Sequence, residues 1–340
     1  MKRLIIFCFA FSPLFLVAQS LKVEIIESGT NSNLRGLSVV NDNILWVSGS
    51  NGTVGRSSNA GKNWKWMTVK GFETKDFRDI EAFDANTAII MAIDAPGYIL
   101  KTTNGGETWK VVYENKTKGM FLDAMDFSTP LHGIVVGDPV NGAVFLAETK
   151  NGGESWSEIN NSGSRLKTDS GEAFFAASGS NIRLFSNGAF YIVSGGTKSN
   201  ILSKGKVTPL PLIQGKESTG ANSIDVFDDG IPDEPGKRMI VVGGDFLNAN
   251  SIEKNCFFSA DGGKSWKAPK TPPNGYRSSV EYLSRNDVLT CGLNGVDYSR
   301  DGGKNWKWIS KESFNVCKIS RIGSAVFLAG PNGKIGRLGY

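Results

Sequence analysis

Three arginines and a set of carboxylates recur at equivalent points along this 340-residue sequence. Arg35 (Leu34-Arg35-Gly36-Leu37), Arg78 (Phe77-Arg78-Asp79-Ile80) and Arg277 (Tyr276-Arg277-Ser278-Ser279) each open a short run, and Glu172, Asn222 and Asn315 stand in the same place in comparable runs. Asp94, Asp138 and Asp245 each follow an apolar run and fall in a turn: Ala92-Ile93-Asp94, Gly137-Asp138-Pro139 and Gly243-Gly244-Asp245. Guanidinium forks suit a carboxylate, sulfate or phosphate. Two chemistries are open to such a set. One is recognition of an acidic group without any reaction. The other is glycoside hydrolysis, which needs two carboxyl groups at a set separation, or a tyrosine in place of one of them. In the hydrolytic reading Arg35, Arg78 and Arg277 clamp an anionic glycan, Asp138 or Asp94 is the acid, and Glu172 pairs with Tyr276 as nucleophile. The same charges could instead pair with one another and fill the space between them.

Other chemistries are poorly served. The single histidine, His132, follows Pro130 in a turn, so a Ser-His-Asp triad or a multi-histidine metal site would depend on one loop residue. Gly263-Lys264-Ser265 looks like the end of a phosphate loop, but Phe258 stands where the opening glycine belongs. No G-x-G-x-x-G opens a helix, so no nicotinamide or flavin is expected, and no other cofactor. The acidic stretch Gly230 to Gly236 follows Asp225 and Asp229, yet Phe227 occupies a ligand position and Gly236 the place of the closing glutamate, so no metal is expected there. The formal net charge is +5 and falls by two if Lys2 and Arg3 are cleaved off, too mild to argue for nucleic acid or an anionic membrane. Beyond the N-terminal run, Cys256, Cys291 and Cys317 lie in apolar contexts without CxxC spacing. Buried free thiols are expected, with a Cys291–Cys317 bridge the alternative.

The elements that must position these residues are announced by a repeat. Ser299-Arg300-Asp301-Gly302-Gly303-Lys304-Asn305-Trp306 reads S-x-D-x-G-x-x-W, and it recurs at Ser259 to Trp266, Thr149 to Trp156, Thr102 to Trp109 and Ser57 to Trp64. Each copy lies between two short apolar runs and so belongs in a hairpin. The hydroxyl and the Asp or Asn side chain can hold nearby backbone N–H groups, the glycine supplies a positive φ, and the tryptophan packs back on the sheet. A period of about 40–50 residues built of short strands signals a propeller, one blade per repeat. Blade starts align at Leu34, Phe77, Phe121, Gly171, Ala221, Tyr276 and Phe314, which makes seven. The fourth unit, within 157–220, lacks its tryptophan turn. The last unit stops short at Gly336-Arg337-Leu338-Gly339-Tyr340, and Val23-Glu24-Ile25-Ile26 has no blade of its own. The expected fold is therefore all-β, a seven-bladed β-propeller over residues 20–340, closed by the N-terminal strand so that no edge is left open. Inner-strand starts and second-to-third-strand turns then share one face, and the tryptophan turns lie on the other.

Met1-Lys2-Arg3, the apolar run Leu4 to Val17 and Ala18-Gln19-Ser20 read as a secretory signal, residues 1–19, and the run is short for a membrane anchor. A periplasmic or extracellular, monomeric protein without a transmembrane anchor is expected.

The repeated turn resembles the Asp-box of sialidases and other β-propellers, where it is a structural staple. The chain as a whole resembles the secreted bacterial proteins of the photosystem II stability/assembly factor type. The blocks that carry this are Leu34-Arg35-Gly36-Leu37, Gly137-Asp138-Pro139-Val140, Gly171-Glu172-Ala173-Phe174-Phe175-Ala176-Ala177-Ser178-Gly179, Gly243-Gly244-Asp245-Phe246 and Gly275-Tyr276-Arg277-Ser278-Ser279. The resemblance implies a non-enzymatic scaffold that binds a protein or glycan partner in the cell envelope. The Arg-Ile-Pro block usual in sialidases is absent, since Asp79-Ile80 follows Arg78. Binding is therefore favoured over hydrolysis, through a face carrying Arg35, Arg78, Asp94, Asp138, Glu172, Asp245, Tyr276 and Arg277.

Overall fold

The computed structural model describes residues 21–159, 166–203, 205–228 and 236–339. The N-terminal apolar run and most of the acidic loop after Asp225 lie outside the described residues. Seven antiparallel sheets follow one another along the chain, as the repeat requires. Blade 1 shows the pattern: Leu34–Val39, Leu45–Gly49, Thr53–Ser57 and Lys65–Thr68, running from the axis outward. Blade 7 closes the ring. Its three strands Val316–Ile319, Val326–Ala329 and Ile335–Gly339 take Lys22–Ile26 as the fourth, with Lys22 opposite Gly339 and Ile26 opposite Ile335. A bare blade edge would offer a template for another strand, and pairing the two chain ends removes it.

The apolar core lies between blades. Trp46 and Val54 of blade 1 pack with Phe77, Ile80 and Leu100 of blade 2, and each later junction repeats the arrangement. Trp46 is fully buried, and its indole N–H donates to the Asp84 carbonyl at 3.0 Å. A buried side chain of this kind contributes roughly 1.5–3 kcal/mol.

The five tryptophan turns share one geometry. The glycine at the fifth position of each donates its N–H to the hydroxyl that opens the motif: Gly61 to Ser57 at 2.9 Å, Gly106 to Thr102 at 3.0 Å, Gly153 to Thr149 at 2.9 Å, Gly263 to Ser259 at 2.9 Å and Gly303 to Ser299 at 3.0 Å. These glycines stand at φ between +78° and +87°, where a Cβ is strained. The aspartate is a backbone anchor. Asp301 accepts from the N–H of Lys304 at 3.0 Å and of Asn305 at 2.9 Å.

Blades 4 and 5 depart from the pattern. The inner strand of blade 4 is Ile182–Leu184, later than the start at Gly171 that the alignment of repeats suggests. Glu172–Ala173 instead pairs with Gly195–Gly196, and that pair joins the sheet of blade 5. Blade 5 has three strands, Thr219–Phe227, Arg238–Asp245 and Cys256–Ser259, and its fourth is reduced to a bridge between Phe258 and Lys267. Residues between Phe174 and Ser180 use the space this frees. They cross the axis. Phe174 N–H donates to Asp138 Oδ1 of blade 3 at 2.8 Å, and Ala177 O accepts from Arg35 of blade 1 at 3.2 Å. The Ser178 hydroxyl donates to Ser278 O of blade 6 at 2.7 Å, and Ser180 Oγ meets Ser223 Oγ of blade 5 at 2.7 Å. A Cβ on Gly179 would sit 2.3 Å from the Asp79 carboxyl of blade 2, so the close passage requires glycine there. This segment divides the central channel into an upper and a lower mouth.

Cys256, Cys291 and Cys317 are buried free thiols, and the alternative bridge is not formed. His132 is held between Ser128 Oγ at 3.1 Å and Glu148 Oε1 at 2.8 Å. Among the described residues no helix is long and apolar enough to cross a membrane, and no cluster of metal-ligating side chains is present. Asp225, which precedes the acidic stretch, accepts from Arg183 Nε at 2.8 Å.

Candidate functional site

The upper mouth is a pocket of about 420 Å³ whose floor is the crossing segment. Inner-strand starts bring Arg35, Arg78, Asn222, Tyr276 and Asn315 to its wall, and the second-to-third-strand turn of blade 3 brings Asp138. Phe121, Phe174, Phe175 and Phe246 complete it with Leu293 at the rim. Phe246 stands edge-on between Phe175 and Tyr276, with ring centroids 5.8 Å and 6.3 Å away. The pocket is thus cationic on the blade 1–2 side and aromatic on the blade 5–6 side. Phe246 and Leu293 are exposed, and exposed Leu247 follows directly, so the apolar wall continues onto the surface.

The two arginines are unequally satisfied. Arg78 Nε donates to Asp76 Oδ2 at 2.9 Å. Arg35 has no carboxylate within ion-pair distance among the described residues. One of its Nη groups reaches the Ala177 carbonyl, and its buried Nε has no hydrogen-bond partner. Burial first, and then the like charge of Arg78, push its pKa below the usual arginine value. Asp138 is the acid that lines the pocket with them. Burial raises its pKa to about 6, against the opposing hydrogen bond from Phe174. Asp123 beside it is fully buried, and burial, then the charge of Asp138, hold it well above the carboxylate range. Arg78 has its own carboxylate in Asp76, so the unmet hydrogen-bonding capacity on this wall is that of Arg35.

The remaining residues singled out from sequence do not enter this pocket. Arg277 is fully buried. It donates from Nε to Asp297 Oδ2 at 2.9 Å, pairs with the same carboxylate through Nη2, and gives an Nη1 bond to the Tyr276 carbonyl at 2.8 Å. Glu172 is buried against the hydroxyl of Ser194 and the Asn200 amide, the latter at 2.8 Å. Asp245 caps its own turn through the Leu247 N–H at 3.0 Å. Asp94 is exposed, and its carbonyl accepts from Lys75 at 3.3 Å. The Tyr276 hydroxyl is spent on Asn222 Oδ1 at 2.7 Å. A three-arginine clamp with a Glu172–Tyr276 nucleophile pair is therefore not assembled. The aromatic wall was missed in the sequence, although Phe174-Phe175 and Phe246 stand within the quoted blocks.

Charges that do pair with one another lie at the lower mouth. Arg183 bridges Asp225 at 2.8 Å and Glu281 at 3.0 Å, Arg321 pairs with Glu81, and Lys318 approaches Glu281 at 4.0 Å. The self-paired plug considered for the arginine-bearing end thus has its counterpart at the opposite end.

No protein-family profile matches the chain, and no curated protein sequence does. Solved structures do match. YCF48 bound to D1 peptide superposes with a TM-score of 0.66 at 17% identity, over 94% of this chain and 95% of that one. YCF48 from Cyanidioschyzon merolae gives 0.66 and 17%, over 93% and 98%. The WD40 β-propeller domain of Doa1 gives 0.61 and 12%, over 94% and 97%. At these identities the likeness is one of fold, a seven-bladed propeller.

Proposed function

We propose that this protein is a non-enzymatic scaffold whose upper pocket binds a segment of a partner protein, an acidic group set beside an apolar or aromatic side chain. The observation that carries this is Arg35: a largely buried guanidinium with no carboxylate partner and an unpartnered Nε, facing an aromatic wall. An acidic group between Arg35 and Arg78 relieves their mutual repulsion. A neighbouring side chain rests on Phe175, Phe246 and Tyr276. One of the structural neighbours is bound to a peptide, which supports an extended segment as ligand over a glycan. The basic start and apolar run of residues 1–19 support action outside the cytoplasm, in the periplasm or beyond. Fluorescence anisotropy against an array of labelled acidic-aromatic peptides tests the site. Losing a charge-assisted hydrogen bond costs about 1.5–3 kcal/mol, so Arg35→Ala and Arg78→Ala are each expected to weaken a hit by about ten- to a hundredfold. Undiminished binding in the double variant refutes the site.

A further inference from the structure

A second site is written into the junction between blades 4 and 5, on the face of the tryptophan turns. At the other junctions such a turn seats its fifth-position glycine on the preceding blade. A Cβ on Gly61 would touch Phe327, on Gly106 Trp46 and Met67, on Gly153 Ile89, and on Gly303 Ile240. On Gly263 it would touch only Met239 and Trp266 of its own blade. The space left open is a groove of about 380 Å³, lined by Tyr191, Ile201, Ser203, Lys206, Thr208 and the turn itself with Lys264.

The charges at this junction also differ from those at the turns of blades 2 and 3. The residue after that glycine is Glu107 in blade 2 and Glu154 in blade 3. Each takes a lysine of the preceding blade: Lys65 on Glu107 at 3.2 Å, and Lys101 on Glu154 at 2.6 Å. The equivalent residue in blade 5 is Lys264, as it is Lys62 in blade 1 and Lys304 in blade 6, and here it lines an open groove to which the preceding outer strand adds Lys206. Neither has a carboxylate partner among the described residues. The Tyr191, Ser203 and Thr208 hydroxyls make no hydrogen bond to the described residues either. In blades 2 and 3 the partner that meets such a lysine is a carboxylate.

We infer that this groove binds an acidic sugar, its carboxylate held by Lys206 and Lys264 as a glutamate meets a lysine in blades 2 and 3. A sugar ring presents an apolar C–H face, which suits Tyr191 and Ile201, and hydroxyls, which suit Ser203 and Thr208. The concave shape favours a discrete ligand over a flat anionic surface.

Calorimetric titration of the full chain with trigalacturonate and with neutral galactotriose tests this. The acidic sugar is expected to bind and the neutral one not. Lys264→Glu re-creates the Lys–Glu pair seen at the turns of blades 2 and 3. It is expected to lower affinity at least about tenfold without lowering the melting temperature. Thr208→Val is expected to weaken binding, and Arg35→Ala at the distant upper pocket to leave it intact. No heat with trigalacturonate overturns the inference, as does binding that survives Lys264→Glu. Equal binding of citrate reduces the groove to a bare charge contact and overturns the sugar. Loss in Arg35→Ala moves the site to the upper pocket.

Discussion

Replacing Asp138 with asparagine tests the electrostatics of the upper pocket in one step. The Asp138 carboxyl holds its proton to about pH 6, against an ordinary value of 3.8, because burial penalises the charge. Between those two values the folded state binds more protons than the unfolded one. Wild-type stability therefore falls as pH rises through this window and levels off above it. Each pH unit is worth ~1.4 kcal/mol, so carrying the ionised group at about pH 7.5 costs roughly 2–3 kcal/mol. Asparagine keeps an Oδ1 for the Phe174 N–H, which donates at 2.8 Å, and never ionises. Asp138→Asn is expected to exceed wild type by that amount at about pH 7.5 and to match it near pH 4, read by urea denaturation. The ligand reports the same proton. Ionised Asp138 opposes an anion held by Arg35 and Arg78, so wild-type affinity for an acidic peptide is expected to fall as pH rises through about 6, and that step is expected to vanish in the variant. A variant less stable than wild type at neutral pH, or a stability gap that does not change with pH, refutes the reasoning.

Arg277→Met strands Asp297 as an unpaired buried charge. It is expected to cost about 3–5 kcal/mol of stability, and wherever the variant still folds, to leave the affinity of an upper-pocket peptide near wild type. Asp301→Ala removes the anchor for the Lys304 and Asn305 N–H groups. By analogy with helix caps, about 1–2 kcal/mol of stability goes with it, seen as a lower melting temperature with unchanged ligand binding. Cys256, Cys291 and Cys317 are buried, and burial pushes the thiols of Cys256 and Cys291 up. Ellman's reagent is expected to find no reactive thiol among them until the protein is denatured.

The architecture was legible because the tryptophan turn is local. Its hydroxyl, carboxylate, glycine and tryptophan act within eight residues, so the spacing in sequence is the spacing in space, and counting copies counts blades. Ring closure followed from an orphan strand at one end and a missing one at the other. The site was only half legible. Arg35, Arg78 and Arg277 look alike because each opens an inner strand, yet what each does depends on the carboxylate its own blade supplies, which for Arg78 is Asp76 just before it. Blade 6 supplies Asp297 about twenty residues on, and Arg277 turns inward to meet it. The third strand of blade 1, Thr53-Val54-Gly55-Arg56-Ser57, carries no carboxylate, so Arg35 is left facing the channel.

The degenerate fourth blade is the source of both sites. Had Glu172 to Gly179 formed an ordinary inner strand, the channel would be open from end to end, and the upper arginines would face a water-filled bore at high dielectric. Because the chain crosses the axis first, the upper mouth gains a floor of Phe174, Phe175 and Ala177. Burial then lifts Asp138 and leaves Arg35 short of a partner. The same blade carries no tryptophan turn, and the turn of blade 5 does not seat on it, so the groove beside Lys206 and Lys264 stays open. A seven-fold ring of identical units would satisfy every junction alike and expose no unmet charge. Breaking the repeat once, at blade 4, goes with an arginine that has no carboxylate partner among the described residues at the upper mouth and with an open groove beside two lysines on the opposite face. Placing the glutamate of blades 2 and 3 at this position through Lys264→Glu should therefore silence that groove while leaving the upper pocket untouched.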